Sequence, residues 1–508
     1  MYIKILVSLL ACAVSAAQAG HYVFWAAMAS KSIKVGMMDI GYELANRGHE
    51  VTILSPFIPN KNVKGVTEIV IESDFVKITD SITQELLSHE GAQVPVGEFI
   101  KLSIDNNRNA MTHPKFIEIM ETKPFDVLIT TPFFGNEGSY YVAHKKNASL
   151  VLFMSAPFGF SWMNWANGDP YNPAYMPMFT TSFSQSMSFL ERLTNTAVAA
   201  FFHVAVRGFN ALPKVHSLLA EVFPGETIPD VNDMIETTSL TINHGTPFLG
   251  DGVSPVMPKT LLSGLMTCRT QSLEPLPKEL KEWVEGAEHG VIFVSFGSII
   301  KSSKMPEEKR KMFLNVFASL RQRIVWKWEA PMDDAPKNTL LSSWLPQQSL
   351  LAHDNVKLFI THGGAGSFQE AICHKTPMVA IPFQGDQFTN VKQAVQKHIG
   401  LSLDWHRMSE RSLATAVNEA INDPSYKSAI TELSDLVMDQ PQHPMDRVIW
   451  WMEYLLRHPH NPGMVSPTHD LWWFQYFLLD VLAALCIAFC VSIYLMVLIF
   501  NKFTLLIS

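Results

Sequence analysis

The sequence predicts an α/β fold with two Rossmann-like domains that face a cleft, followed by one C-terminal transmembrane helix. Strand and helix patterns alternate in both halves of the 508-residue chain, which favours mostly parallel sheets. Prolines interrupt regular structure between Leu249 and Leu280, as expected for a linker between domains. Residues 481–500 contain no charged side chain and are long enough to cross a bilayer as a helix.

The individual elements are predicted from hydrophobic periodicity. Strands are predicted at 22–26, 50–54, 127–130, 150–154, 291–296, 324–328, 339–342, 357–361 and 378–381. Helices are predicted at 35–47, where Gly48 follows, at 306–319 and at 446–457. The stretch 183–223 is apolar and helical in pattern. It either roofs a site for an apolar ligand, touches the membrane or forms a pair of core helices.

These elements divide the chain into eight segments. They are a signal peptide (1–19), an N-terminal domain (20–260), a linker (261–288), a C-terminal domain (289–440), a returning helix (441–460), a stalk (461–480), the span (481–500) and a cytosolic tail (501–508).

Both chain ends indicate a membrane protein of the secretory pathway. Lys4, an apolar stretch at 5–14 and Ala17-Gln18-Ala19 are typical of a cleaved signal peptide. Aromatic residues at 472–477 precede the span and fit the membrane interface. We therefore expect a single-pass type I protein of the endoplasmic reticulum with a lumenal body; the plasma membrane is the alternative location, and a buried core helix is the alternative to the span. Asn147 starts a glycosylation sequon.

Composition narrows the function classes. Apolar residues make up 47 % of the chain and charged residues 17 %, too apolar a mixture for a disordered protein. The net charge of -8 argues against nucleic-acid binding, which needs a basic surface. Outside the two terminal apolar segments the cysteines are Cys268 and Cys373, and no spacing indicates zinc. We expect two buried thiols there, with a bridge between them as the less favoured alternative.

The densest group of polar and glycine residues lies between Trp344 and Gln387. Thr361 is predicted to end a strand and Gly364 to open a helix, so backbone N–H groups and the helix dipole can meet a diphosphate. Trp344 can stack on a base, and the Glu370 carboxylate can accept both hydroxyls of a ribose. Each residue alone is a weak indicator, but the ordered combination predicts a nucleotide-sugar site.

This stretch resembles the signature of the UDP-glycosyltransferase family. The resemblance covers nearly the whole chain, including the Val294-Ser-Phe-Gly-Ser298 loop, the Pro444-Met-Asp-Arg447 turn and an invertebrate-like (insect-like) stalk at 469–480. It implies a GT-B fold and transfer of glucose or glucuronate from a UDP-sugar to a small lipophilic acceptor, with inversion and no metal or other cofactor. Donor contacts are implied for Ser298, Trp344, Gln347, His362, Gly364, Gly366, Ser367, Glu370, Asp386 and Gln387.

The acceptor-activating residues of the family do not match. The family's general-base histidine, at the tip of the first N-terminal loop, falls on Ile33, and the acid that orients it falls on Thr131, so the catalytic residues are unknown. Three hypotheses follow. The chain is a transferase with atypical acceptor activation, or a non-catalytic UDP-sugar or lipophile binder that partners active relatives, or an unrelated α/β membrane protein that carries this stretch by chance. Oligomers, homomeric or with related transferases, are compatible with the first two.

Overall fold

The structure is a computed structural model. It describes residues 19–59, 62–88, 96–154, 164, 167–178, 180–181, 183–249, 255–269, 273–461 and 463–507. The predicted signal peptide lies outside the described residues except for its last position.

The first domain is built on a parallel sheet. Its strands are β1 (His21–Trp25), β2 (Glu50–Ser55), β3 (Val66–Val70), β4 (Val127–Thr130), β5 (Ser149–Met154), β6 (Thr238–Asn243) and β7 (Thr260–Leu262), in the spatial order β3-β2-β1-β4-β5-β6-β7. β1, β4 and β5 are buried on both faces because helices cover them, which is why they read as nearly continuous apolar runs, whereas the edge strand β3 is mostly exposed or half-buried. β7 lies between Pro258 and Pro275, so this sheet extends into the first residues of the predicted linker.

Helices connect these strands. They are α1 (Lys31–Asn46), α2 (Phe75–Ser88), α3 (Val96–Met111), α4 (Pro114–Thr122), α5 (Gly138–Lys145), α6 (Phe189–Phe201), α7 (Leu212–Val222) and α8 (Val231–Glu236). A π-helical segment, Phe202–Ala211, joins α6 to α7. The apolar stretch 183–223 is therefore mostly helical, as its periodicity predicts.

The second domain repeats the pattern with a parallel sheet in the order β10-β9-β8-β11-β12-β13. Its strands are β8 (Val291–Ser295), β9 (Arg323–Lys327), β10 (Thr339–Ser342), β11 (Val356–Thr361), β12 (Met378–Ala380) and β13 (Gly400–Ser402). Its helices are α9 (Lys278–Glu285), α10 (Glu307–Ser319), α11 (Gln347–Leu351), α12 (Ala365–Cys373), α13 (Asp386–Gln396), α14 (Glu410–Asn422) and α15 (Pro424–Met438).

The chain then returns to the first domain. Helix α16 (Pro444–Arg457) buries Val448, Ile449 and Met452 in the same apolar cluster as Tyr22 of β1. Short helix α17 (Trp473–Tyr476) precedes α18 (Leu479–Ile507). Within α18, Leu479–Lys502 is long and apolar enough to cross a membrane, with a mean hydropathy of 2.8.

The expectation of two separate thiols is wrong. Cys268 and Cys373 form a disulfide with their Cα atoms 5.9 Å apart. The segment after β7 folds back onto the end of α12 and brings together two cysteines that are 105 residues apart in sequence. Spacing along the chain could not reveal this contact, since it depends on how the linker packs against the second domain.

Candidate active site

A cleft of about 2040 Å³ lies between the two sheets, and all ten residues with implied donor contacts line it. In each sheet the strand order reverses at one point, between β1 and β4 in the first and between β8 and β11 in the second. Ligands of open α/β sheets bind beside such points, outside the carboxyl ends of the strands. The loop after β8 carries Ser298, and the loop after β11 carries His362 and the glycine-rich turn.

His362 follows β11 and lies between two glycines. A Cβ on Gly297 would approach the His362 ring to 2.6 Å, and a Cβ on Gly364 would approach it to 2.5 Å. Gly297 also has a positive φ of 80°. The imidazole is therefore held by two positions that tolerate no side chain. Burial, together with the charge of Lys327, lowers the pKa of His362 to about 4, so the ring is neutral near pH 7.

The N-terminus of α12 points into the cleft, as the glycine-rich turn predicts. The Ala365 N–H donates to Asp386 Oδ2 at 3.0 Å, and Asn390 Nδ2 donates to the same oxygen at 3.0 Å. Burial raises the pKa of Asp386 to about 6, and these two hydrogen bonds oppose that shift. Gly366, the residue after Ala365, has open space where a Cβ would lie. This helix end therefore combines oriented N–H groups with room for an anion.

Gln347 links the two polar groups at the middle of the site. Its Nε2 atom donates to Ser367 Oγ at 3.0 Å and to Glu370 Oε2 at 2.7 Å. Burial raises the pKa of Glu370 to about 7, and the hydrogen bond from Gln347 opposes the shift. Gln387 makes a local contact instead: its Oε1 atom accepts the N–H groups of Phe383 and Gln384 in the turn before α13.

Trp344 and Lys31 meet across the cleft. The Trp344 indole follows β10 and is 54 % exposed. Lys31 Nζ, from the first turn of α1, lies 3.9 Å from the centroid of the ring. Burial and the nearby charges of Lys327 and Lys34 lower the pKa of Lys31. An ammonium group thus covers the aromatic face that the family resemblance assigns to the base.

Lys327 is a site residue that the sequence patterns did not indicate. It ends β9, lines the cleft, and its Nζ atom donates to Gly297 O at 3.0 Å and to Glu329 Oε1 at 2.6 Å. It therefore brings an ammonium group, paired with the Glu329 carboxylate, to the loop that carries Ser298. No local motif marks it, because it is the last residue of an ordinary apolar strand.

The two positions of the expected acceptor-activating pair carry no titratable group. Ile33 lines the cleft, but it lies in the first turn of α1 and not at a loop tip, because the Ser30 side chain caps the helix four residues earlier than predicted. Thr131 is buried after β4, where Asn136 Nδ2 donates to its carbonyl at 2.7 Å and to its hydroxyl at 3.2 Å. Thr131 is thus part of a neutral hydrogen-bond network with Asn136.

Besides Lys31 and Asp39 of α1, the first domain gives the cleft an apolar part. Phe133, Phe134, Phe153, Val198 and Phe202 line it, and the rings of Phe134 and Phe202 stack with centroids 6.0 Å apart. Val198 and Phe202 come from α6 and the π-helical segment. The sequence left three interpretations of residues 183–223. The position of Val198 and Phe202 in the cleft supports the one in which this stretch lines a site for an apolar ligand.

The fold and the site together define a class of protein. Two facing Rossmann-like domains, with a strand–glycine turn–helix site in the second, are the GT-B architecture of glycosyltransferases. Solved structures agree with this fold. A UDP-glucosyltransferase from Polygonum tinctorium matches with a TM-score of 0.58 at 14 % identity, covering 87 % of this chain and 100 % of that one. Os79 from O. sativa, in complex with UDP, matches with a TM-score of 0.56 at 17 % identity, covering 85 % and 99 %.

Sequence comparison gives the family. The profile of the UDP-glucoronosyl and UDP-glucosyl transferase family matches residues 22–506. UDP-glucosyltransferase 2 of Dactylopius coccus is 32 % identical over 449 residues, which cover 88 % of this chain and 86 % of the relative. UDP-glucuronosyltransferase 2B33 of Macaca mulatta is 30 % identical over 500 residues, covering 93 % and 92 %. The chain belongs to the UDP-glucuronosyl and UDP-glucosyl transferase family, whose members use UDP-sugar donors.

Proposed function

We propose that this protein transfers glucose or glucuronate from a UDP-sugar to a small lipophilic acceptor, with inversion and without a histidine base. The observation that carries the proposal is the cleft itself. It joins a polar helix N-terminus on the second domain to an apolar surface on the first. A charged donor and an apolar acceptor can thus meet in one enclosed space.

The donor would lie along the second domain. Trp344 stacks on uracil and Gln347 holds the nucleoside. Glu370 accepts the ribose hydroxyls once they replace the Gln347 amide as its partner. Asp386 and Gln387 face the donor sugar.

The diphosphate would lie at the start of α12. Backbone N–H groups at Gly364 and Gly366, together with Ser298 and Ser367, donate to its oxygens. Lys327 supplies the positive charge that neutral His362 lacks. These groups stabilise the UDP leaving group as its bond to the sugar breaks, so the reaction needs no metal.

Acceptor activation is the unusual part of the proposal. Direct displacement with inversion needs a nucleophile on the side of the sugar opposite UDP. General-base catalysis of a hydroxyl typically contributes ~10²–10⁴-fold, and Ile33 cannot provide it. Amines and thiolates attack without deprotonation by the protein. We therefore expect amines and thiols to be better acceptors than phenols.

One observation favours a second candidate function. The side chains at both expected catalytic positions are neutral, and the Thr131 carbonyl accepts a hydrogen bond from Asn136. A non-catalytic protein that binds UDP-sugar or a lipophile beside an active relative would keep the donor site and lose this pair.

Transfer assays separate the two candidates. The full chain in lipid nanodiscs would be incubated with labelled UDP-glucose or UDP-glucuronate and a panel of phenols, amines and thiols, with and without EDTA. Transfer to an amine or thiol, unchanged by EDTA, supports the proposal, and the anomeric configuration of the product by NMR tests inversion. Saturable UDP binding without any transfer would favour the binder.

Two variants test the site assignments. His362→Ala should abolish UDP binding measured by calorimetry while leaving the melting temperature close to wild type. Ile33→His combined with Thr131→Asp should raise turnover of phenols if the missing pair limits the rate. No gain on phenols, in a variant that still binds UDP, would contradict this account of acceptor activation.

We also propose that α18 anchors the protein in the endoplasmic reticulum membrane with the body in the lumen. Asn147, the sequon position, is exposed in a turn with φ 52°, which leaves room for a glycan. A mobility shift on endoglycosidase H treatment that Asn147→Gln removes would place this segment in the lumen. A chain that stays unglycosylated would leave that orientation unsupported, and protease protection of microsomes would then decide it.

A further inference from the structure

Helix α2 belongs to the first domain in sequence, but it packs into the core of the second. Its buried side chains Ile82, Leu86 and Leu87 are members of the apolar cluster that β8, β9 and β11 form with their helices. At the end of α2, Trp405 Nε1 of the second domain donates to Leu87 O at 2.8 Å. This bond satisfies one of the carbonyls that a helix leaves unpaired at its C-terminus. The helix is therefore fixed to the domain that holds the donor site.

The loop that α2 touches carries Ser298. This loop, called here the β8 loop, comprises residues 296–301 and follows β8 directly. Two carbonyl groups flank Ser298, and each accepts a hydrogen bond from a different domain. Gly297 O accepts from Lys327 Nζ at 3.0 Å, within the second domain. Ile299 O accepts from Thr83 Oγ1 of α2 at 2.8 Å, across the domain boundary.

A charged pair joins the same two elements. Lys301 Nζ lies 2.6 Å from Asp80 Oδ1. Asp80 and Thr83 are three residues apart, so they share one side of α2. The side chains of the charged pair are 30 % and 31 % exposed, so solvent weakens their attraction. Thr83 is fully buried, which makes its hydroxyl the stronger restraint on the β8 loop.

The same helix also forms part of the apolar wall of the cleft. Phe75 and Leu86 of α2 line the cleft together with Phe99 of α3. One helix of the first domain thus contacts both the apolar part of the cleft and the loop that carries Ser298.

We infer that Thr83 is a positioning residue for the donor diphosphate, supplied by the domain that faces the acceptor. It acts through Ile299 O and holds the backbone on one side of Ser298, while Lys327 holds the other side. Groups that bind a ligand keep their geometry only when supporting hydrogen bonds fix them. The inference rests on the proposed function, which gives Ser298 its contact with UDP.

Thr83→Val tests the inference, because valine keeps the shape of the side chain and removes the hydroxyl. The full chain in lipid nanodiscs is titrated with UDP and with uridine by calorimetry. We expect UDP affinity to fall about three- to tenfold, as for the loss of one hydrogen bond, and uridine affinity to stay within about twofold. Uridine is insensitive because it has no diphosphate. Thr83→Ser retains the hydroxyl and should bind UDP like wild type.

Thr79→Val is the matched control. Thr79 is buried one turn earlier on α2, but its Oγ1 atom donates to Phe75 O at 2.8 Å, within the same helix. This variant should bind UDP like wild type. If the two valine variants weaken UDP binding equally, the effect comes from the packing of α2 and the inference is overturned.

Hydrogen exchange of the ligand-free chain measures the positioning without UDP. Thr83→Val should speed exchange in the β8 loop at least about threefold and leave β11 unchanged. Unchanged exchange in the loop, or an equal loss of UDP and uridine affinity, would also overturn the inference. If Thr83→Val loses its cooperative melting transition, Asp80→Asn takes its place, with the same expected direction at low salt. A wild-type chain that binds no UDP would overturn the proposed donor site, and exchange in the β8 loop would still decide whether Thr83 holds Ser298 in place.

Discussion

Replacing Lys31 tests whether its ammonium group competes with the base for Trp344. Lys31 Nζ lies 3.9 Å from the ring centroid, and the ring is 54 % exposed. A cation–π contact at an exposed site is worth ~0.5–1 kcal/mol. A base that stacks on Trp344 must first displace this contact, so Lys31→Met should strengthen uridine binding by up to about fivefold.

For UDP, which carries a diphosphate, we expect Lys31→Met to change the affinity in the opposite direction. When the ammonium leaves Trp344, it remains near Lys327 and the loop that carries Ser298. One unit charge ~6 Å from a phosphate gains ~3 kcal/mol at an effective dielectric constant of 20, before screening by solvent and salt. Lys31→Met should therefore weaken UDP binding several-fold at low salt, and the loss should shrink as salt rises.

Titration calorimetry with uridine, UMP and UDP at two salt concentrations measures both effects. Lys145→Met is the matched control, because Lys145 Nζ lies 5.2 Å from the ring of Phe223, away from the cleft. The control should change neither affinity. If Lys31→Met shifts uridine and UDP in the same direction, the idea that the ammonium moves from the indole to the diphosphate is refuted.

Three further results are expected. Gly297→Ala should lower both UDP affinity and the melting temperature, since its Cβ would approach the His362 ring to 2.6 Å. Gly225→Ala is the control, because Gly225 has the same φ of 80° but open space around it; this change should cost only ~1 kcal/mol of stability in chemical denaturation. UDP affinity should fall as pH drops through about 7, because protonated Glu370 no longer accepts both ribose hydroxyls, and Glu370→Gln should flatten that calorimetric profile. Cys268→Ser with Cys373→Ser should lower the free energy of unfolding by ~2–4 kcal/mol, and a Tm equal to wild type would argue against the disulfide.

The donor half of the site could be predicted because its signals are local. A strand that ends at Thr361, a glycine turn and a helix predicted to open at Gly364 are neighbours in sequence. In the structure the strand ends at Thr361 and the helix begins at Ala365, with Gly364 as its N-cap. The ten residues assigned by family resemblance also line one cleft. Their contacts with UDP remain predictions.

The geometry of the acceptor half of the site depends on packing between segments that are distant in sequence. Ile33 was expected at a loop tip, but Ser30 starts α1 early enough to place it in a helical turn. Lys31 reaches a tryptophan that lies more than 300 residues away in sequence. Arg269, just after the disulfide, pairs with Asp39 of α1 across the domain boundary. No periodicity in the chain encodes such contacts.

The sequence by itself determined the alternation of strands and helices in both domains, the glycine-rich helix start and the apolar C-terminal helix, because each depends on residues within one or two turns of one another. It did not determine β3, β6, β7 and β13. Tertiary structure alone decided that Cys268 meets Cys373, that Lys31 covers Trp344, and that Lys327 joins the donor site. Lys31 and Trp344 face each other across the cleft between the domains, Cys268 lies in the linker that packs on the second domain, and Lys327 reaches Gly297 from the neighbouring strand of the same sheet. Each contact joins residues that are distant in sequence, and hydrophobic patterning carries no record of it.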